Sequence, residues 1–597
     1  MNLKDAVRTL FRKGKLPENY QMYTEWGEHL DAAHVLEEYP RPQLRRDNYI
    51  ILNGYWNYCI NQDPDFPKSF DGRILVPFSP ESVLSGVNRQ LLPGEYLWYE
   101  RCLNIDHKLP DQRCLLNFGA VDQYCEVYIN HHKVMDHMGG YLPFSVDITT
   151  RIEEGDNIVT LKVMDDSDTS YHSRGKQKLH RGGMFYTAQS GIWQTVWMEW
   201  VPDLYITSLR ITPLVDGKAV RVEIFLNDDF NRDNIEDIIF KVDIYHNQCL
   251  VRSLTSRLQF LNISFPEFEL WSPENPVLYN VVITAGEDRA ESYFAMRKVE
   301  IKPDTDGIPR IFLNYKPYFQ NGLLDQGYWP DGLYTAPSDE ALIYDIRKAK
   351  ELGFNMLRKH IKIEPMRWYY HCDRLGMLVW QDIVNGGEEY NMLLVGYLPT
   401  LFPKLAGKIK DHHYRMLGRK SEEGRREWIN ECRKTVLHLY NTPSIITWVP
   451  FNEGWGQFDS KNAYEIIHEL DMTRLIDHAC GWFDQGCGDF ESIHNYFHPY
   501  RVRLKKRPVV LSEYAGYACY INGHSFSHQI YGYRIYHSKE EFDNAFHYLL
   551  EEDIQKLADN GLSAAVFTQL SDVEDEVNGL LTYDRKICKA TPVKINF

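Results

Sequence analysis

Two apolar runs in the second half of the chain each end in a glutamate. Ile445-Ile-Thr-Trp-Val-Pro-Phe451 leads into Asn452-Glu453-Gly454-Trp455, and Val509-Val-Leu-Ser512 leads into Glu513-Tyr514-Ala515-Gly516. An apolar strand that stops at a carboxylate delivers that group to a sheet end, where it can meet a ligand. Two such groups on one rim suit the cleavage of an acetal. One protonates the leaving oxygen while the other meets the oxocarbenium-like centre. A separation of about 5–5.5 Å favours retention through a covalent intermediate, and about 6.5–9.5 Å favours inversion. A single glutamate after a strand is ordinarily a solvated loop residue. The pair points to catalysis, because Asn452 precedes one member and glycine and tryptophan follow it. The Asn452 amide is placed to hydrogen-bond a sugar hydroxyl, a contact that strengthens as charge develops.

The elements that must hold these residues follow from the change of pattern near Lys302. Beyond it, short apolar strands alternate with helical stretches, which predicts βα units around a parallel sheet. Eight strands are expected at 318–324, 355–360, 378–383, 445–451, 475–479, 492–497, 509–514 and 564–569. Helices are expected at 338–352, 365–375 and 427–439, and Pro443 follows the last as a stop signal. Eight such units over 303–597 predict a (β/α)8 TIM barrel, whose chemistry sits at the C-terminal strand ends. Residues 1–202 read as short strands separated by Gly, Asp, Asn and Pro turns, which predicts a β jelly-roll sandwich. Residues 203–302 continue in strands at 209–213, 219–226, 238–246 and 277–285, the size of an immunoglobulin-like β-sandwich. The chain is therefore expected to be multidomain.

Composition removes several function classes. A formal net charge of −17 without a long basic tract disfavours nucleic acid as a partner. The basic run 501–507 precedes an apolar strand and reads as a solvated loop. No stretch is apolar for the eighteen or so residues a bilayer span needs, so no membrane partner is expected. The N-terminus lacks the apolar core of a signal peptide. Eleven scattered cysteines form no C-x-x-C pair and no disulfide framework. Cys480 and Cys487 read as packing residues rather than metal ligands. Together these features predict a cytoplasmic, reduced protein. A homo-oligomer stays an open expectation. The many aromatic residues fit sugar stacking and core filling equally well.

Ordered motifs along the chain resemble glycoside hydrolase family 2, the family of β-galactosidases, β-glucuronidases and β-mannosidases. In the first region they are Leu52-Asn-Gly-Tyr-Trp56, Pro77-Phe-Ser-Pro80, Trp98-Tyr-Glu-Arg101, Phe118-Gly-Ala-Val-Asp122, Gly139-Gly-Tyr-Leu-Pro-Phe144 and Ser190-Gly-Ile-Trp-Gln-Thr-Val-Trp197. The second region contributes Leu270-Trp-Ser-Pro-Glu-Asn-Pro276 and Phe294-Ala-Met-Arg-Lys298. The third contributes Gly353-Phe-Asn-Met-Leu-Arg358, the run 372–380, Asn452-Glu453 and Ser512-Glu513-Tyr514. Each is weak alone; their order over more than 500 residues is specific. The resemblance implies a sugar-binding jelly roll, an immunoglobulin-like sandwich and a catalytic barrel. It makes Glu453 the general acid/base and Glu513 the nucleophile of a retaining exo-β-glycosidase. It also implies that the Tyr496 hydroxyl contacts the nucleophile carboxylate and that Arg358 either supports that carboxylate or forms a structural ion pair. His360 is either a packed residue or a ligand contact. Asp325 either binds sugar hydroxyls or orders the 322–331 loop. Trp455 is expected to wall the aglycone side, and Trp482 fits a wall or the core.

The resemblance departs from its best-known members at the positions that choose the sugar. β-Glucuronidases read the substrate carboxylate with an Asn-x-Lys motif in the last barrel loop. Here that stretch is Glu576-Val577-Asn578, without a cation. The run Trp380-Gln-Asp-Ile-Val-Asn385 is nearer the mannosidase style than the galactosidase style. A strand-eight tryptophan platform is replaced by Phe567, with Thr568-Gln569 following. A neutral glycone is therefore expected, β-galactoside first. The metal ligands of the large galactosidases have no counterparts here, so neither a metal nor another cofactor is expected. The rival class is a carbohydrate-binding protein that has lost catalysis, which the survival of both glutamates argues against.

Overall fold

The computed structural model describes residues 21–106, 111–228, 238–401, 406–496 and 500–594. Its N-terminal sandwich sets a four-stranded sheet against a six-stranded one. In Tyr124–Ile129 every second residue is buried, as in a half-buried antiparallel sheet, whereas Gln112–Phe118 is buried through most of its length. Trp56, Leu97, Tyr99, Leu116, Val127 and Leu161 fill the space between them. The next sandwich pairs the three strands Ile206–Leu214, Ala219–Leu226 and Phe260–Ser264, and faces them with four others. Val222, Ile244, Ile283 and Phe294 lie between these two sheets.

Eight parallel strands follow. They are β1 Gln320–Asp325, β2 Met356–Lys359, β3 Leu378–Asp382, β4 Ile445–Val449, β5 Leu475–Ile476, β6 Glu491–Asn495, β7 Val509–Ala515 and β8 Leu562–Thr568. Their order in the sheet is β5-β4-β3-β2-β1-β8-β7-β6. Between β5 and β6 the sheet is bridged from Asp489, whose backbone N–H donates to the Ile476 carbonyl at 2.9 Å and whose carboxylate accepts from the Ile476 N–H at 2.7 Å. All eight expected strands are found, with ends moved by no more than three residues; residue 497, the expected end of the sixth, lies outside the described residues. Helix α1, Asp339–Glu351, starts where the Ser338 hydroxyl accepts from the Ala341 N–H, has Asp339 and Glu340 in its first turn, and has Lys348 and Lys350 in its last. Helices α2 Met366–Leu375 and α3 Glu422–His438 pack on the same outer face.

The period of two along each strand sorts the barrel's side chains. Leu323, Leu357 and Val379 pack outward against Leu342, Ile346 and Trp368 of the helices. Leu324, Met356, Leu378 and Trp380 pack with Val510, Val566, Ile311 and Leu313 in a separate inner cluster that floors the barrel.

Buried polar contacts fix the three regions to one another. The Arg46 guanidinium donates to Asp288 at 2.7 Å and to Glu199 at 3.3 Å. Arg297 donates to the Pro443 and Ile445 carbonyls at 2.8 and 2.9 Å. A segment of the first sandwich, 172–187, also crosses the barrel mouth. The N–H groups of Arg174 and Gly175 both donate to the Asn385 carbonyl at 3.0 Å, beyond β3. At the far side the Thr187 N–H donates to Glu574 at 3.0 Å, Arg181 to Asp575 at 3.2 Å and the Tyr186 hydroxyl to Glu576, beyond β8. Among the described residues no helix is long and apolar enough to cross a membrane, and no two cysteines form a disulfide.

Candidate active site

Glu513 owes its direction to a flaw in β7. Val510 faces the barrel floor, whereas Leu511 and Tyr514 face the helices. Strict alternation would turn Glu513 outward with Leu511. The pairing of β7 slips at this point against both neighbours, between Ile493 and His494 on β6 and between Leu511 and Tyr514 on the β8 side. That irregularity re-aims the carboxylate inward. Glu453 is placed by a different device. It follows β4 in the left-handed region, with φ +50°, and its N–H donates to the Cys480 carbonyl at 2.9 Å. The turn continues through Gly456 at φ +65°, where an added Cβ would lie 2.2 Å from the Gly386 carbonyl oxygen, so only glycine fits.

Arg358 ties the floor of the site together from β2, where it is fully buried. Its guanidinium donates to Glu513 Oε1 at 3.0 Å and to the Ser512 carbonyl at 3.1 Å. The fork formed by Nε and Nη2 grips Asp382 at 2.9 and 3.0 Å, and Nη2 also reaches Asn452 Oδ1 at 2.9 Å. Asn452 therefore presents its acceptor to the arginine and keeps its NH2 for a ligand. From β6 and just beyond it, the Tyr496 hydroxyl donates to Glu513 Oε2 at 2.5 Å and lies 3.3 Å from Glu453 Oε1. His494 stands between the two glutamates. Its Nδ1 shares a 2.8 Å hydrogen bond with Glu453 Oε1, and its Nε2 is 3.7 Å from Glu513 Oε1. The side-chain donor atoms of Glu453, His494 and Glu513 all lie within 4.8 Å of one another.

The charges around Glu513 set its state. Burial pushes its pKa up, but the nearby His494, Arg358, His360 and Lys176 act the other way and hold it down at about 2. Burial and the charges of Lys176 and Arg358 keep His360 far below its ordinary pKa, so it is neutral at pH 7 and acts there through its hydrogen bond to Asp382 at 2.8 Å. Arg358 and Lys176 then act together with the adjacent His494 to keep Glu513 ionised. Burial and the two glutamates raise Tyr496 well above its ordinary value, which keeps its hydroxyl a donor.

The structure thus brings Glu453, Glu513, Asn452, Arg358, Tyr496 and His360 into one cluster. Trp455 lies beside it, buried and stacked on Phe185 and Tyr390 at 5.4 and 6.0 Å, and Trp482 packs on His494 at 5.3 Å. Asp325 is elsewhere. It shares the outward parity of Leu323, and its carboxylate accepts from Lys359 at 2.6 Å and from the Gly327 N–H at 2.9 Å. This is the loop-ordering role, not the hydroxyl contact. Phe567 is likewise turned outward, packed on Phe546 at 5.4 Å and on Tyr514 at 5.8 Å, so it is no sugar platform; Thr568 takes the inward position. Three neighbours of the glutamates were not foreseen. His494 and Asp382 could have been found from parity, since they share faces with Tyr496 and Trp380. Lys176 could not, because it arrives from another region of the chain.

Comparison with known proteins accounts for this arrangement over most of the sequence. Residues 89–202 match the family model described as "Glycosyl hydrolases family 2, sugar binding domain", 204–297 match "Glycosyl hydrolases family 2", and 335–592 match "Glycosyl hydrolases family 2, TIM barrel domain". The chain belongs to glycoside hydrolase family 2. Among curated relatives, a putative β-glucuronidase of Formosa agariphila is 25% identical over 403 residues, 63% of this chain and 44% of its own length. A β-galactosidase of Thermoanaerobacter pseudethanolicus is 23% identical over 407 residues, 63% of this chain and 47% of its own. The alignments thus span about half the length of these relatives. A solved β-glucuronidase of Ruminococcus gnavus superimposes with a TM-score of 0.70 at 17% identity, covering 93% of this chain and 97% of the other, which establishes the shared fold.

Proposed function

We propose that this family 2 protein is a retaining exo-β-glycosidase that acts through a covalent glycosyl-enzyme, with Glu513 as nucleophile and Glu453 as general acid/base. The observation that carries the reading is the closeness of the two glutamates, whose facing oxygens lie within 4.8 Å. An inverting site holds its carboxyl groups about 6.5–9.5 Å apart, to admit a water between base and sugar. The partners divide the roles. Glu513, held ionised beside Arg358 and receiving the Tyr496 hydroxyl, is suited to attack the anomeric carbon. Glu453, which shares His494 and is the more exposed of the two at its side chain (14% against 6%), is suited to exchange a proton with the leaving group and then with water. Asn452 holds the adjacent hydroxyl. The 172–187 segment over the barrel mouth favours a terminal sugar over the middle of a chain. The relatives bear both β-galactosidase and β-glucuronidase names, so the glycone has to be read from the pocket itself.

The test is a pair of variants on activated and unactivated aryl β-glycosides. Glu513→Gln abolishes turnover of all of them, because no intermediate forms without the nucleophile. Glu453→Gln keeps glycosylation by dinitrophenyl substrates but loses about 10²–10⁴-fold on substrates with poor leaving groups. Its stalled intermediate is rescued by azide as the β-glycosyl azide. Rescue to a β-azide in Glu513→Gln instead would reverse the roles, and full activity in both variants would place the site elsewhere.

A further inference from the structure

We propose that the glycone accepted by this site carries a carboxylate, so that the substrates are β-hexuronides, and that Lys176 of the N-terminal sandwich is the residue that binds it. The proposal rests on the glycosidase reading above and names the substrate class of that same site. Four lysines are buried among the described residues. Lys359 and Lys362 both pair with Glu364, and Lys589 pairs with Asp572. Lys176 is 7% exposed, yet among the described residues no carboxylate comes within ion-pair distance of its ammonium. The ammonium lies 5.6 Å from the ring centre of Trp455, two residues beyond Glu453, and 5.7 Å from that of Tyr186. Its charge is felt at Glu513 and His360, which places it on the catalytic side of the segment that crosses the barrel.

Other donors around it are also unmatched. The indole N–H of Trp455 and both the Nδ2 and Oδ1 atoms of Asn385 are buried without a hydrogen-bond partner, and the Asn385 backbone carbonyl is the anchor of Arg174 and Gly175 next to Lys176. A buried cation with no carboxylate at ion-pair distance is costly to hold unless an anion approaches it. Sugar hydroxyls would satisfy the amides but leave the charge uncompensated. A carboxylate supplies the ammonium with an ion-pair partner and the Trp455 indole with an acceptor. The last barrel loop offers no alternative reader, since Asn578 donates to Glu576 at 3.0 Å and accepts from Gln569 at 2.7 Å. The lysine that the loop lacks is thus supplied from a different region of the chain.

The experiment compares nitrophenyl β-D-glucuronide and β-D-galacturonide with the β-D-galactoside, the β-D-glucoside and the uronide methyl esters, on the wild-type chain and on Lys176→Met, with melting curves to confirm that the variant folds. The wild type is expected to prefer a free uronide over its methyl ester and over the neutral sugars. In Lys176→Met the uronide-to-galactoside ratio of kcat/KM falls roughly 10- to 100-fold, as loss of a charged hydrogen bond requires. A wild type that prefers a neutral glycoside, or a ratio that Lys176→Met leaves unchanged, overturns the proposal. Calorimetric titration with D-glucuronate, D-galacturonate and D-galactose separates it from the hydrolase reading. If no glycoside is cleaved but a uronate binds more tightly than galactose and loses that margin in Lys176→Met, the hydrolase reading fails and this one stands. If neither uronate binds more tightly than galactose, the carboxylate site is refuted.

Discussion

Replacing Arg358 by methionine tests whether the floor of the site acts as described. Glu513 is held at about 2 against an ordinary value of 4.5, a preference for the ionised form on the order of 3 kcal/mol. Because the folded pKa is depressed, that stabilisation is present above about pH 4.5 and is lost as the pH falls toward 2. An enzyme with this nucleophile should show no acid limb from Glu513 in the ordinary working range. Arg358→Met removes one of the groups that oppose burial at Glu513 and so lets its carboxyl move up. The acid limb of kcat/KM is then expected to rise to pH 4 or above, with activity recovering as pH increases. The variant also strands Asp382, which loses both fork hydrogen bonds; breaking a buried pair costs about 3–5 kcal/mol, so its melting point falls too. Arg358→Lys keeps the charge without the fork, and is expected to keep the acid limb low while losing activity through geometry. The measurement is a pH series of kcat/KM on an activated aryl glycoside, paired with thermal melts. A folded Arg358→Met whose acid limb stays with the wild type would refute the electrostatic account of Glu513.

Asp325→Asn is expected to lower thermal stability, because Lys359 keeps only Glu364 as its counter-ion, while KM changes less than about threefold; a large KM effect with an unchanged melting point would restore the sugar-contact role. Zinc ions are expected to inhibit reversibly, because Glu453, His494 and Glu513 offer ligand atoms of the kind zinc takes within 4.8 Å of one another. Chelation should restore the rate and saturating substrate should protect it, whereas a rate that rises with added metal would contradict the expectation that none is required.

Strand positions were legible because a buried parallel strand is a short, mostly apolar run, as in 445–449 and 509–511, and such runs survive any later detail of packing. The parity of Asp325 was legible too. Counting by twos from Leu323 turns it outward beside Lys359, and the same count from Val566 sends Phe567 to the helices. Glu513 shows why counting alone is insufficient: its inward direction depends on a slip in pairing with both neighbouring strands, which is a property of the sheet rather than of the strand. Lys176 lies further still from the reach of a linear reading. Nothing near it marks a ligand contact, and its place is fixed by Asn385, more than 200 residues along the chain.

The bridge of 172–187 over the barrel mouth bears on how this protein becomes active. Its anchors lie at Asn385 on one side and at Glu574–Glu576 on the other, so the wall that carries Lys176 and Phe185 is missing from a barrel that has folded alone. Larger chains fold region by region, and docking follows. Recovery of catalysis during refolding should therefore lag behind recovery of helical signal, and an intermediate with a finished barrel and an undocked sandwich would be ordered but inert.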